Sequence, residues 1–177
     1  MHAFSGYNSP MITLYLDMDG VLADFNKEYT KFDPQKEDRK KFRDAVLSHR
    51  IFEKLDPMPD AHELLNHVRK LHGINVEILT SMGTHEPMQA EEAKKQKLVW
   101  LEQQGINYKA NFVHNKQEKS NYATPLSILI DDSSGCIGPF IAKGGSGILH
   151  SHSSETIPIL DSTILRIRSL IAMNVLP

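Results

Sequence analysis

The sequence predicts an α/β fold: a doubly wound parallel sheet with a small helical segment inserted after the first strand. Short apolar runs recur at Ile12 to Leu16, Ile74 to Leu79, Leu126 to Ile130 and, more weakly, Ser146 to Leu149. Such runs are typical of the buried strands of a parallel sheet. Helical patterns lie between them, and strands that alternate with helices predict this class of fold.

Three segments have the periodicity of helices that pack on a sheet. Apolar residues recur at helical intervals in Ala61 to Leu71, in Ala90 to Gln104 and in Ile164 to Met173. This spacing places the apolar side chains of each segment on one face. We therefore expect three helices at these positions.

The stretch from Asp24 to Pro57 differs from the rest of the chain. It is charged, shows helical periodicity and contains no convincing strand. We expect a small helical cap at about residues 24–57. The 177 residues would then form a single domain (1–177) whose core comprises residues 11–23 and 58–177.

Composition and charge argue against several classes of protein. The formal net charge of -2 does not provide the positive field of a protein that binds nucleic-acid polymers. The single cysteine, Cys136, cannot form an internal disulfide. No apolar stretch approaches the roughly 20 residues that a membrane helix needs, and Met1 to Pro10 lacks the features of a signal peptide. We expect a cytoplasmic protein with no membrane partner.

Polar side chains follow three of the predicted strands. They are Asp17 and Asp19 after the first strand, Thr80 and Ser81 after the second, and Asp131 and Asp132 after the third. Ligands of open parallel sheets bind at the carboxyl ends of the strands, so these groups would share a pocket if the strands are neighbours. Crowded carboxylates repel one another unless a cation lies between them. Hard oxygen ligands favour Mg²⁺, which suggests phosphoryl chemistry.

The pair of aspartates after the first strand suits a two-step hydrolysis. A carboxylate such as Asp17 can act as the nucleophile. Because the period of an extended segment is two, Asp19 lies on the same side and can exchange protons with the leaving group and with water. Gly20 lets the backbone turn and lets its amide approach the phosphate.

Two further groups are candidates for binding the phosphate. Thr80 can donate a hydrogen bond to a phosphoryl oxygen, and a lysine is expected to neutralise the remaining charge. Lys119, which lies shortly before the third strand, is the preferred lysine, and Lys116 is the alternative. Taken alone, the serine and threonine could instead cap a helix, and the acidic pairs could be ordinary turns.

These motifs, in this order, resemble the haloacid dehalogenase-like superfamily. The resemblance consists of DxDGV, then TS after a strand, then a lysine ahead of an apolar strand that ends in DD, and it spans nearly the whole chain. Asp17 to Phe25 and Ile51 to Pro59 resemble more narrowly the 5'(3')-deoxyribonucleotidases. The resemblance implies a Rossmann-like core with a small helical cap after the first strand.

The resemblance also implies roles for individual residues. They are Asp17 as nucleophile, Asp19 as acid/base, Thr80, Ser81 and Lys119 on the phosphate, and Asp132 with Asp17 on Mg²⁺, with Asp131 in support. Asp19 would reach the metal through its main-chain carbonyl. Lys97 lies where relatives carry a lysine, which implies a contact with the phosphate.

The resemblance also implies that two aromatic residues contact the substrate. Phe25 and Phe52 flank the insert, and the resemblance suggests that they face a nucleobase, on which aromatic rings can stack. The insert is shorter than in the animal nucleotidases, and Ser133 stands where many relatives carry arginine. These departures bear on the choice of substrate more than on the type of reaction.

Three functions remain open from the sequence. The first is a phosphatase of nucleoside monophosphates, and the second is a phosphatase of a sugar phosphate or another small metabolite. The third is a non-catalytic binding module, against which the retention of both Asp17 and Asp19 argues. The expected partner is a small phosphate ester, and the resemblance leaves a homodimer open.

Overall fold

A five-stranded parallel sheet forms the centre of the computed structural model, which describes residues 11–176. The strands are β1 (Ile12–Leu16), β2 (Ile74–Ser81), β3 (Lys109–Val113), β4 (Ser127–Asp131) and β5 (Ser146–Leu149). Their order is β3-β2-β1-β4-β5, and every neighbouring pair is parallel. The predicted α/β fold class is confirmed. The expectation about a signal peptide concerns Met1 to Pro10, which lie outside the described residues.

Six α-helices and two 3-10 helices surround the sheet in the described part of the chain. The α-helices are α1 (Phe25–Tyr29), α2 (Asp38–Leu47), α3 (Ala61–Val68), α4 (Pro87–Gln103), α5 (Ser134–Ala142) and α6 (Ser153–Ala172). The 3-10 helices are Ile51–Lys54 and Lys116–Tyr122. Between residues 11 and 176, no helix combines the length and hydropathy needed to cross a membrane. A cytoplasmic location stays a prediction.

The central strands are the most deeply buried. All five residues of β4 are buried, and Leu14 and Leu16 of β1 are fully inaccessible to solvent. Strands in the middle of a parallel sheet are covered on both faces, which is why they read as continuous apolar runs. β1 is the central strand of the sheet, so its carboxyl end lies between the carboxyl ends of β2 and β4.

Two elements were not predicted, and one helix is longer than expected. The edge strand β3 has the sequence KANFV, whose polar residues hide the strand pattern. Helix α5 contains two glycines and Pro139, which normally disfavour a helix interior. Helix α6 begins at Ser153, whereas the sequence pattern predicted a start at Ile164. The first half of the helix was missed because Pro158 and several polar residues obscure its apolar period.

The segment between β1 and α3 contains α1, α2 and the 3-10 helix Ile51–Lys54, and none of the five strands of the sheet. Its two ends meet, since Ala23 and Pro57 pair in an isolated antiparallel bridge and the Asp24 N–H donates to the Asp56 carbonyl at 2.8 Å. The chain therefore leaves the core and returns to it at the same place. The division into a cap and a core stays a prediction.

Candidate active site

The topology brings three of the predicted motifs to one edge of the sheet. β1 lies between β2 and β4, and all three strands are parallel. Asp17 follows β1 directly, Thr80 lies at the end of β2, and Asp131 is the last residue of β4. Because parallel strands share a direction, the three carboxyl ends meet at the same edge.

Three carboxylates form a compact cluster at this edge. One oxygen from each of Asp17, Asp131 and Asp132 lies within 4.8 Å of the other two. Lys119 Nζ lies 2.7 Å from Asp17 Oδ1 and donates to Asp131 Oδ2 at 2.6 Å. These four side chains line an open groove of about 390 Å³. The sequence-predicted acids and lysine therefore share one site.

Burial and mutual repulsion perturb the acids of this cluster. Burial raises the pKa of Asp17 to about 7; Lys119 opposes the shift, and Asp131 adds to it. The pKa of Asp132 is also raised, by loss of solvent and by the neighbouring Asp131. Burial alone would lower the pKa of Lys119, but the charges of Asp17 and Asp131 outweigh it and raise that pKa. The cluster of Asp17, Asp131 and Asp132 therefore has more acidic groups than the single ammonium of Lys119 can pair with.

This donor set suits a hard divalent cation. The cluster offers carboxylate oxygens from three residues, and two of those acids have pKa values raised by burial and repulsion. Mg²⁺ is commonly bound by one or two carboxylates together with water and phosphate oxygens. The residues present therefore fit the cation that the sequence predicts.

Gly20 is required by the packing of this cluster. Its φ is +80°, and a Cβ at this position would lie 2.1 Å from Asp132 Oδ2. Its amide, however, donates to the Ala23 carbonyl at 2.8 Å. In this conformation the amide hydrogen bond is used within the turn, and the approach of this amide to the phosphate stays a prediction.

The second lysine, Lys97, lies deeper than the first. Its side chain is 0% exposed, and its Nζ donates to Asp19 Oδ2 at 2.5 Å and to Thr80 Oγ1 at 2.9 Å. The same atom lies 4.3 Å from the centre of the Phe52 ring. The structure thus brings Lys97, Asp19 and Thr80 together, but Lys97 is not among the residues that line the groove.

The remaining predicted contacts differ in their access to the groove. Ser81 lines it, with its hydroxyl donating to the His114 carbonyl at 3.2 Å. Phe25 and Phe52 stack on each other with ring centres 5.4 Å apart. Phe25 is half-buried and lines the groove, whereas Phe52 is only 2% exposed. Of the two rings, Phe25 is the one that presents surface to the groove.

The structure separates the two candidate phosphate lysines. Lys119 contacts the acid cluster, whereas Lys116 is exposed at the rim of the groove, with its Nζ 3.4 Å from Ser133 Oγ. Sequence reasoning missed two other lining residues, Asn26 and Cys136. No spacing or motif marks either of them. Burial raises the pKa of the Cys136 thiol to about 12.

A second groove lies between the helical insert and the loop after β2. It has a volume of about 820 Å³, and its lining includes Tyr29, Arg39, Phe42 and His85. Tyr29, which lines this groove, stacks on Phe25, which lines the first, with ring centres 4.9 Å apart. The sequence did not predict this groove, because its walls come from the insert and from the loop after β2.

Comparison with known proteins identifies similar structures but no relative by sequence. No protein-family model and no curated protein matches the sequence. The structure resembles a hydrolase from Streptococcus pneumoniae TIGR4, with a TM-score of 0.54 and 14% identity over 85% of this chain and 98% of the other.

Two further solved structures match with lower TM-scores. A haloacid dehalogenase-like family hydrolase from Streptococcus pneumoniae has a TM-score of 0.49 and 12% identity, over 77% of this chain and 83% of the other. The D,D-heptose 1,7-bisphosphate phosphatase from Burkholderia thailandensis has a TM-score of 0.46 and 13% identity, over 84% of each chain. At these identities a structural likeness concerns the fold and not the function. The chain has a parallel α/β fold that is similar to that of the hydrolase from Streptococcus pneumoniae TIGR4.

Proposed function

We propose that the chain is a magnesium-dependent phosphomonoesterase that acts through an aspartyl-phosphate on Asp17. The observation that carries this proposal is the position of the Asp17 carboxylate. It lies at the edge of an open groove, within 4.8 Å of two other acids, and next to the buried ammonium of Lys119. A nucleophile, a cation site and a fixed positive charge are what phosphoryl transfer requires.

In the first half of the reaction, an oxygen of Asp17 attacks the phosphorus of the ester. A bond forms between this oxygen and phosphorus while the bond from phosphorus to the leaving oxygen breaks. Asp19, which also lines the groove, gives a proton to the leaving oxygen, so that an alcohol departs. Lys119 stabilises the negative charge on the transferring group.

In the second half, water attacks the phosphorus of the aspartyl-phosphate. Asp19 takes a proton from this water, and the bond between phosphorus and Asp17 breaks. Inorganic phosphate leaves, and both aspartates return to their starting protonation states.

The proposed cation would be held by Asp17 and Asp132, with the main-chain carbonyl of Asp19 and the side chain of Asp131 in support. When bound, Mg²⁺ supplies positive charge that offsets the repulsion between these acids and the phosphate. The raised pKa of Asp17 supports this assignment, because a nearby cation would favour the ionised nucleophile.

We propose nucleoside monophosphates, deoxyribonucleotides among them, as the substrates. The position of Phe25 supports this choice, because its half-buried ring lines the groove and an aromatic side chain there can contact a base. The second groove, of about 820 Å³, has room for a nucleoside and carries Tyr29, Arg39 and His85 as further contacts. A homodimer stays a prediction.

A panel of phosphate esters tests the proposal. Purified protein is assayed on nucleoside monophosphates and on sugar phosphates, with Mg²⁺ and with a chelator, and the esters are ranked by kcat/KM. Nucleoside monophosphates are expected to rank first and to require Mg²⁺. A higher rank for sugar phosphates would favour the alternative substrate class, and no phosphate release from any ester would favour the non-catalytic module.

The nucleophile is tested by Asp17→Asn with Asp161→Asn as the matched control. Asp161 lies on α6 outside the groove and accepts a hydrogen bond from His67, which an asparagine oxygen can also accept. We expect the first variant to lose nearly all activity while its fold survives, and the second to keep the activity of the wild type. Unchanged turnover by Asp17→Asn would contradict the proposed mechanism.

A further inference from the structure

Lys97 carries a buried charge whose partner belongs to the proposed reaction. A lysine is almost never fully buried unless it is paired. Here the ammonium donates to Asp19 Oδ2 at 2.5 Å, and the lysine side chain is 0% exposed. Asp19 is the proposed acid/base, so the residue that compensates this buried charge is also the one that must exchange protons with the substrate.

Most of the donor capacity of the Lys97 ammonium is already used. A protonated lysine has three N–H groups. Two of them donate, to Asp19 and to Thr80, and Nζ lies 4.3 Å from the centre of the Phe52 ring, a distance typical of a cation–π contact. Lys119, by contrast, lines the groove next to the nucleophile. The geometry therefore does not suit the phosphate contact that the sequence implies for Lys97.

The two carboxylate oxygens of Asp19 are in different situations. Oδ2 is held by Lys97, whereas Oδ1 is buried and has no hydrogen-bond partner among residues 11–176. A buried polar atom without a partner costs about 1–3 kcal/mol. Asp19 lines the groove, so a substrate or water molecule there can supply the missing partner. One oxygen is anchored and the other is available.

We propose that Lys97 is a positioning residue, which fixes the carboxylate of Asp19 so that its free oxygen can exchange a proton with the leaving group and with water. This inference rests on the proposed function. The anchor holds one oxygen of the carboxylate in place and so restricts the position of the other. Fixing the position of a reacting group lowers the barrier, because its orientation is settled before the reaction.

The same lysine connects the acid/base to the helical insert. Phe52 lies in the insert, its ring faces the Lys97 ammonium, and its N–H donates to Gln96 Oε1 at 3.3 Å. Gln96 and Lys97 are neighbours on α4, and Gln96 also donates to the Val46 carbonyl at 2.8 Å. The position of the insert and the position of Asp19 therefore depend on two adjacent residues of one helix.

Two kinds of ester distinguish this role from a structural one. An alkyl phosphate such as a nucleoside monophosphate needs a proton on its leaving oxygen, whereas p-nitrophenolate leaves without one. We expect Lys97→Met to lower kcat/KM by about 10²-fold or more for the alkyl ester and by less than about 10-fold for p-nitrophenyl phosphate. Lys95→Met, an exposed lysine on the same helix, serves as the control and is expected to change neither value.

A double variant tests whether Lys97 acts through Asp19. Asp19→Asn is expected to show the same selective loss for the alkyl ester. If Lys97 works only by placing this carboxylate, adding Lys97→Met to Asp19→Asn lowers kcat/KM no further. Thermal unfolding of each variant checks the fold. If Lys97→Met does not fold, Lys97→Gln, which keeps a donor for Asp19 but no charge, is compared with wild type on the same two esters.

The outcomes separate this inference from the proposed function. Equal losses for both esters, or additive losses in the double variant, would overturn the positioning role and leave the phosphatase intact. A selective loss in Asp19→Asn without one in the Lys97 variant would do the same. If the wild type hydrolyses neither ester, the proposed function fails and this inference falls with it.

Discussion

Lys119 Nζ lies 2.7 Å from Asp17 Oδ1, and the two side chains are only 2% and 8% exposed. A buried charge pair is weak evidence for stability, but removing one partner leaves the other charge uncompensated. Here the ammonium also contacts Asp131, so its loss would leave two buried carboxylates without their cation. This relationship makes the lysine important for both folding and reaction.

Lys119→Met is expected to lower the free energy of unfolding by about 3 kcal/mol at pH 7, because two buried acids lose their partner. It should also lower kcat by about 100-fold or more, since the charge beside the transferring group is gone. Denaturant unfolding and steady-state kinetics measure the two effects. Lys116→Met at the rim of the groove is the matched variant, with an expected change in stability below about 0.5 kcal/mol. A larger loss of kcat in the second variant would make Lys116 the phosphate lysine.

Gly20→Ala is expected to disturb the cation site as well as the backbone. Its φ of +80° disfavours alanine, and the new Cβ would collide with Asp132. Gly105→Ala is the control, because Gly105 has a φ of +65° but no heavy atom within 4 Å of a Cβ. Both variants should lose stability, by about 1 kcal/mol or more. Only the first should need more Mg²⁺ for half-maximal activity, and equal Mg²⁺ dependence would contradict the contact with Asp132.

The stability contribution of Glu77 is expected to depend on pH. Burial would raise the pKa of Glu77, but hydrogen bonds from Asn75, Asn111 and Lys109 outweigh it and hold this pKa below its ordinary value. Because the pKa of Glu77 is lower in the folded protein, ionised Glu77 stabilises the fold above its pKa in the unfolded chain, which is about 4.3. This stabilisation is lost as the pH falls through the pKa of Glu77 in the folded protein. Glu77→Gln should therefore cost about 1.5 kcal/mol at pH 7 and much less at an acidic pH below the folded pKa of Glu77. A cost that is constant between these two pH values would argue against the ionised form.

Gln96→Leu is expected to loosen the helical insert. The substitution leaves the Val46 carbonyl and the Phe52 N–H without their partner, at a cost of about 1–3 kcal/mol. Limited proteolysis followed by mass spectrometry should show faster cleavage within residues 24–57 than in the wild type. Gln104→Leu at the end of α4 is the control, because Gln104 is not fully buried and its side chain makes no hydrogen bond to the insert among the described residues. Equal cleavage in all three proteins would contradict this role of Gln96.

Much of the fold follows from local sequence patterns. β1, β2, β4 and β5 are apolar runs, and α3 and α4 have clear helical periods, so their existence is visible without any tertiary information. The elements that escaped prediction lack such patterns. β3 is an edge strand with polar residues, and α5 is held by burial of Cys136, Ile137 and Phe140 despite its glycines and proline.

The sequence alone determined the order of the acidic and hydroxyl motifs and their places at strand ends, because both are properties of neighbouring residues in the chain. Only the tertiary structure decided which charges meet. Lys97 and Lys119 were both candidates for binding the phosphate, but Lys97 pairs with Asp19 and Lys119 pairs with Asp17. Phe25 and Phe52 were both candidates for contacting a nucleobase, but Phe25 lines the groove and Phe52 is buried. The physical reason is that the partner of a buried charge, and the exposure of a ring, depend on elements that pack against it from distant parts of the chain.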